Sequence, residues 1–131
     1  MEARTILVVD DEETVRTYVH KILSMRGYRV MDARDGVDAL EQIAQLGSAV
    51  DLLLTDVRMP RMDGSELTQR LSATYPQTPI LYMSGYPFDL DAERKRNPAR
   101  ICAFLSKPFT PKLLLEVIDE CLSSVTKTSC A

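Results

Sequence analysis

Basic charge is not in excess in this sequence. Lys and Arg number 16 against 19 Asp and Glu, for a formal charge of -3. There is thus no basic footprint for nucleic acid, and any charged partner patch must be local. Long apolar runs are missing as well. None approaches the roughly 20 residues needed to span a bilayer, so membrane insertion is not expected, and the opening stretch MEARTILVVDDE lacks the apolar core of a secretory signal. His20 is the single histidine, and the three cysteines are Cys102, Cys121 and Cys130. One histidine argues against a zinc site. Three unevenly spaced cysteines imply no disulfide framework, and Cys121, on a helical apolar stripe, reads as a small core hydrophobe. The expected compartment is the reducing cytoplasm. Internal repeats, linkers and low-complexity segments are absent too.

What is present is an ordinary globular composition, 45% hydrophobic and 27% charged over 131 residues. We expect one domain, 1–131, with a core over about 5–125 and a frayed polar tail at 126–131. Strands are predicted at Thr5 to Val9, Tyr28 to Ala33, Asp51 to Asp56, Pro79 to Ser84 and Ala103 to Lys107. Between them lie helical patterns. Val15, Val19, Ile22 and Leu23 share one face, with Gly27 as a stop. Val37, Leu40, Ile43 and Ala44 share another, between a cap at Asp35 and an end at Gly47. Leu67 and Leu71 point inward on a third helix that ends before Pro76. A last helix, with Pro111 near its start, carries Leu114, Val117, Ile118, Cys121, Leu122 and Val125 on one side. Apolar strands alternating with helices predict an α/β fold: a flavodoxin-like three-layer sandwich around a five-stranded parallel sheet of order 2-1-3-4-5.

In that topology, one rim of the sheet receives the carboxyl end of every strand. The stretch DLLLTDVRMPRMDG runs an apolar strand straight into Asp56, although carboxylates are seldom buried unpaired. The first strand delivers Asp10 and Asp11 to the same rim, the fourth Ser84 and the fifth Lys107. Each alone has a plain reading: a helix N-cap pair, a turn cap, a loop serine, a solvated lysine. Their convergence points to chemistry. Clustered carboxylates repel one another. Oxygen-only ligands with room for water and a phosphoryl group suit Mg²⁺. An aspartate can act as a nucleophile and form an aspartyl phosphate, a serine hydroxyl can donate to a phosphoryl oxygen, and a lysine places a mobile point charge beside it.

The stretches ILVVDDEETVR, ARDGVDAL, DLLLTDVRMPRMDG, ILYMSGY and FLSKPF resemble, in order and spacing, the receiver domain of two-component response regulators. The resemblance runs from about Ile6 to Val125. It implies that Asp56 accepts a phosphoryl group from the phosphohistidine of a sensor histidine kinase or a histidine phosphotransfer domain, becoming 4-aspartylphosphate. Asp11, Asp56 and the backbone carbonyl of Arg58 would bind Mg²⁺ directly, and Asp10 mostly through water. Ser84 and Lys107 would contact the phosphoryl group, and the bond before Pro108 would be cis. Phe104 matches an aromatic that swings inward on activation; its plain reading is a half-exposed strand aromatic. Such a domain is a signalling phosphoacceptor that catalyses only its own phosphorylation and dephosphorylation. A downstream target protein is implied but not identified. LYMSGY and KPFTP are more similar to receivers fused to hybrid sensor kinases than to those leading DNA-binding proteins.

One stretch departs from the family. YPFDLDAERKRNPAR, where a fourth helix is usual, holds Pro87, Pro98 and an Arg/Lys cluster at Arg94, Lys95, Arg96 and Arg100. It reads first as a solvated loop and, in a sharper reading, as a partner surface. Rival functions fit less well. A dehalogenase-type hydrolase would need a second Asp two residues after Asp56, where Arg58 stands. An FMN module would need a phosphate-binding loop where DDEET would repel phosphate. A receiver degenerate in its chemistry would lack some of the five site residues, and all are present.

Overall fold

The computed structural model describes the backbone of residues 3–130 and the side chains of residues 3–123. Five strands, β1 (Thr5–Val9), β2 (Arg29–Ala33), β3 (Leu52–Asp56), β4 (Pro79–Ser84) and β5 (Arg100–Ser106), alternate with five helices, α1 (Glu13–Met25), α2 (Gly36–Leu46), α3 (Gly64–Thr74), α4 (Leu90–Arg96) and α5 (Pro111–Cys130). All strand pairs are parallel and the order is β2-β1-β3-β4-β5. Leu52, Leu53 and Leu54 are fully buried because β3 lies at the centre with both faces covered. Each such leucine contributes roughly 2 kcal/mol of burial. On one face, Val8, Leu52 and Leu54 pack with α1 and α5 through Val19, Leu23, Leu114 and Ile118. On the other, Leu7, Leu53 and Ile80 pack with α2 and α3 through Ala39, Ile43, Leu67 and Leu71.

Local signals set the helix ends. Asp35 caps α2 by accepting from the Asp38 N–H, and Gly47 closes it at φ 73°. Asp63 caps α3 through the Glu66 N–H. Gly64 is required at the start of α3: a Cβ there would lie 2.3 Å from the Asp56 carbonyl oxygen. The loop after β3 therefore folds back tightly on the strand that carries Asp56.

Three expectations need correction. The 86–100 segment is not a loop throughout: Leu90–Arg96 is a helix, capped by Asp89 accepting from the Ala92 N–H. It escapes hydrophobic patterning because its inward face is polar. Glu93 is fully buried and bonds the Tyr82 hydroxyl, the Asn97 amide and the Arg96 guanidinium. Second, β5 begins at Arg100, earlier than predicted, and carries a bulge: Ile80 pairs with Ile101 and Leu81 with Ala103, which leaves Cys102 as the extra residue. Arg94 of α4 donates to the carbonyls of Ile101 and Cys102 at this bulge (3.2 and 3.0 Å). Gln42 of α2 likewise donates to the Asp32 carbonyl of β2 (2.6 Å). Third, Cys121 is not a plain core thiol. It is disulfide-bonded to Cys102, with Cα atoms 5.7 Å apart, because the bulge turns Cys102 toward α5. The odd cysteine count hid this pair. α5 extends to Cys130. Helical backbone thus reaches into the stretch 126–131 predicted as a frayed tail; Ala131, and the side chains from Ser124 onward, lie outside the described residues.

Candidate functional site

The carboxyl ends of β1, β3, β4 and β5 meet at one rim, as the predicted topology requires. Carboxylate oxygens of Asp10, Asp11 and Asp56 lie within 4.8 Å of one another. Asp10 is fully buried and Asp56 is 7% exposed, whereas Asp11 is exposed. The Lys107 ammonium lies between the two buried carboxylates, 2.7 Å from Asp10 Oδ2 and 3.2 Å from Asp56 Oδ2. The Lys107–Pro108 bond is cis.

Backbone N–H groups hold the Asp10 and Ser84 side chains. Asp10 Oδ1 accepts from the Glu12 N–H (2.9 Å), and the Asp10 carbonyl accepts from the Arg16 guanidinium (2.6 Å). The N-cap of α1 is Glu12, which makes no side-chain cap bond, so Asp10 holds the turn before the helix and is not the helix cap itself. Arg16 was not foreseen; its place on the first turn of α1, beside an acidic turn, was the available signal. The Thr55 hydroxyl donates to the Asp56 carbonyl (2.9 Å). Ser84 is buried, and its Oγ accepts from the Tyr86 N–H (3.0 Å), while its carbonyl accepts from the Lys107 N–H (2.8 Å). An open cleft of about 450 Å³ beside Asp56 is lined by Asp11, Arg58, Tyr86 and Lys107. The Arg58 guanidinium stacks 4.8 Å from the centre of the Tyr86 ring. Phe104 is not among the rim residues. It stacks on Phe88 (5.3 Å), which meets Tyr82 edge-on.

The electrostatics follow from this crowding. Burial and the neighbouring Asp10 push the Asp56 carboxyl above the usual carboxylate range, against the opposing pull of Lys107. Burial would lower the Lys107 ammonium, but the hydrogen bond and charge of Asp10, with Asp56, raise it above the ordinary lysine value. Lys107 is therefore charged at neutral pH. Three carboxylates and one ammonium leave two negative charges uncompensated among these four groups. Oxygen donors of that net charge, partly open to solvent, fit a small divalent cation.

Sequence reasoning missed the support beneath the loop after β3. Arg61, at φ 68°, reaches back to the α2 cap and donates to both oxygens of Asp35 (2.9 Å each). Met62 packs on Gly36, where a Cβ would meet it at 2.8 Å. The loop carrying Arg58 is thereby tied to the start of α2.

Known proteins agree with this architecture. The family model of the response regulator receiver domain matches residues 6–119. The chain is 41% identical over 118 residues to the sensor kinase CckA of Brucella abortus, covering 90% of this chain and 12% of that protein. It is 42% identical over 111 residues to the response regulator MprA of Mycobacterium ulcerans, covering 84% of this chain and 46% of the relative. The chain thus spans less than half the length of these relatives. Among solved structures, the CheY-like receiver domain protein of Methanospirillum hungatei superposes with a TM-score of 0.86 at 29% identity, covering 97% of this chain and 99% of that one. The chemotaxis protein CheY4 of Vibrio cholerae superposes at 0.82 with 32% identity, covering 92% and 99%. With a rim of aspartates held by one lysine at the carboxyl ends of a 2-1-3-4-5 sheet, the chain belongs to the response regulator receiver domain family.

Proposed function

We propose that this receiver domain accepts a phosphoryl group on Asp56 from the phosphohistidine of a sensor histidine kinase or histidine phosphotransfer domain. The observation that carries the reading is the Lys107 ammonium bridging Asp10 and Asp56 within a cluster of three carboxylates. An Asp56 oxygen attacks phosphorus; the P–O bond forms as the P–N bond breaks, and the imidazole leaves with its electron pair and takes up a proton. Lys107 compensates charge on the phosphoryl oxygens, and the Ser84 hydroxyl donates to one of them. Asp11, Asp56 and the Arg58 carbonyl would hold Mg²⁺, with Asp10 acting through water; when bound, the ion supplies charge neutralisation for the incoming phosphoryl group. We place the domain in the cytoplasm. No described helix is long and apolar enough to cross a membrane.

The test is incubation with Mg²⁺ and acetyl phosphate followed by intact mass. Wild type should gain about 80 Da, and Asp56→Asn should not; full labelling of Asp56→Asn would reject the assignment.

The output route proposed is a population shift at Ser84 and Phe104. For its hydroxyl to turn toward a phosphoryl group, Ser84 must give up its bond from the Tyr86 N–H. That loosens the loop leading to Phe88, on which Phe104 stacks. Beryllofluoride with Mg²⁺ should then move amide resonances across 86–104. Changes confined to the loops around Asp11, Asp56 and Lys107 would instead indicate a phosphoryl relay.

A further inference from the structure

We propose that Cys102 and Cys121 form a site of reversible thiol oxidation by small-molecule disulfides, with Cys102 as the entry thiol and Cys121 as the resolving thiol. The two residues lie 19 apart in sequence and are bonded across β5 and α5. Their 5.7 Å Cα separation lies within the range a disulfide spans. The pairing depends on the bulge. Were β5 regular, Cys102 and Ala103 would face opposite sides of the sheet. With Cys102 as the extra residue, both pack on the side covered by α1 and α5, while Ile101 and Phe104 pack on the other. Arg94, bonded to the carbonyls of Ile101 and Cys102, holds the bulge from α4, so the geometry for bond formation does not depend on the bond itself.

Exposure sets the order of attack. Cys121 is 2% exposed, on the inward stripe of α5, whereas Cys102 is partly exposed on an edge strand. In the reduced protein, the Cys102 thiolate attacks one sulfur of the reagent. The reagent's S–S bond breaks, one thiolate leaves and takes up a proton, and a mixed disulfide remains on Cys102. The Cys121 thiolate then displaces the second reagent thiolate, which is protonated in turn. Two protein thiols are oxidised by two electrons and the reagent is reduced to two thiols. A thiol pool at cytoplasmic poise reverses both steps, so the bond is transient in that compartment. When closed, it fastens to α5 the strand that carries Phe104 and leads to Lys107.

The test uses the protein with all three cysteines. After dithiothreitol and unfolding in guanidinium chloride, N-ethylmaleimide should label Cys102, Cys121 and Cys130; after oxidised glutathione and the same unfolding, it should label neither Cys102 nor Cys121. Peptide mapping should then recover Cys102 joined to Cys121. In Cys121→Ser, a stable glutathione adduct of about 305 Da should collect on Cys102. In Cys102→Ser, Cys121 should stay unmodified. The oxidised wild type should melt about 5–10 °C above the reduced protein. Three labelled thiols after oxidised glutathione, a bond to Cys130, or an adduct preferring Cys121 over Cys102 would each overturn the site. Equal melting midpoints would overturn the fastening of β5 to α5.

Discussion

Arg61 illustrates what a single residue does here. Its backbone sits at φ 68°, in the left-handed region that favours glycine. What holds it there is the pair of bonds to Asp35. Burial alone would raise the Asp35 carboxyl; the Asp38 N–H and the Arg61 guanidinium outweigh it and keep it below the usual carboxylate range. Half of the arginine side chain is solvated, so the pair contributes modestly. Arg61→Ala should lower stability by about 1 kcal/mol. Arg61→Gly loses the same bonds but relieves the backbone, and should fall between Ala and wild type in urea denaturation. The reverse order would show that backbone strain is unimportant at this position. Nothing local in RMDG announces the contact, because its partner lies 26 residues away on another element.

At the level of elements, legibility in the sequence tracked apolar periodicity. The central strands, the extent and both caps of α2, and the inward faces of α3 and of α5 as far as Leu122 were readable because each buries an unbroken run or a regular stripe. On α2 the buried residues are Gly36, Ala39 and Ile43, while the predicted Ala44 is exposed, because the small residues Gly36 and Ala39 sit closest to the sheet. The rim of Asp10, Asp11, Asp56, Ser84 and Lys107 was readable because parallel topology sends every strand end to one side. α4 was not, since a buried glutamate replaces the stripe. The bulge was not, since one extra residue leaves no compositional mark. Glu93 gives α4 a pH dependence. Burial would raise its carboxyl, but donors at Tyr82, Arg96, Ser65 and Asn97 together lower it below the ordinary glutamate value. A depressed carboxyl stabilises the fold above its unfolded pKa, about 4.3, and that contribution is lost as pH falls through the folded value. Glu93→Gln should therefore have a shallower acid limb below about pH 4.3, with thermal melts at stepped pH as the measurement. Parallel limbs for wild type and variant would mean that Glu93 ionisation is not linked to folding.

For the molecule as a whole, the crowded rim opposes folding until its charge is offset. A cation at 100 times its dissociation constant would add about 2.7 kcal/mol to stability. The melting midpoint should rise with Mg²⁺ in wild type and stay flat in Asp11→Ala, and a parent midpoint indifferent to Mg²⁺ would argue against any metal site there. A different consequence comes from the guanidinium and amide that reach the two outermost strands. An open parallel sheet ends in rows of backbone groups that another chain can extend, which is a common route to aggregation. Here β5 presents the carbonyls of Ile101 and Cys102 already bonded to Arg94, and β2 presents the carbonyl of Asp32 already bonded to Gln42. The helices beside the sheet thus occupy acceptors that a foreign strand would need, and on β5 the bulge breaks the regular spacing such a strand would have to match. Each outer strand of the sheet thus has acceptors withdrawn from pairing with a foreign chain, one on β2 and two at the bulge of β5.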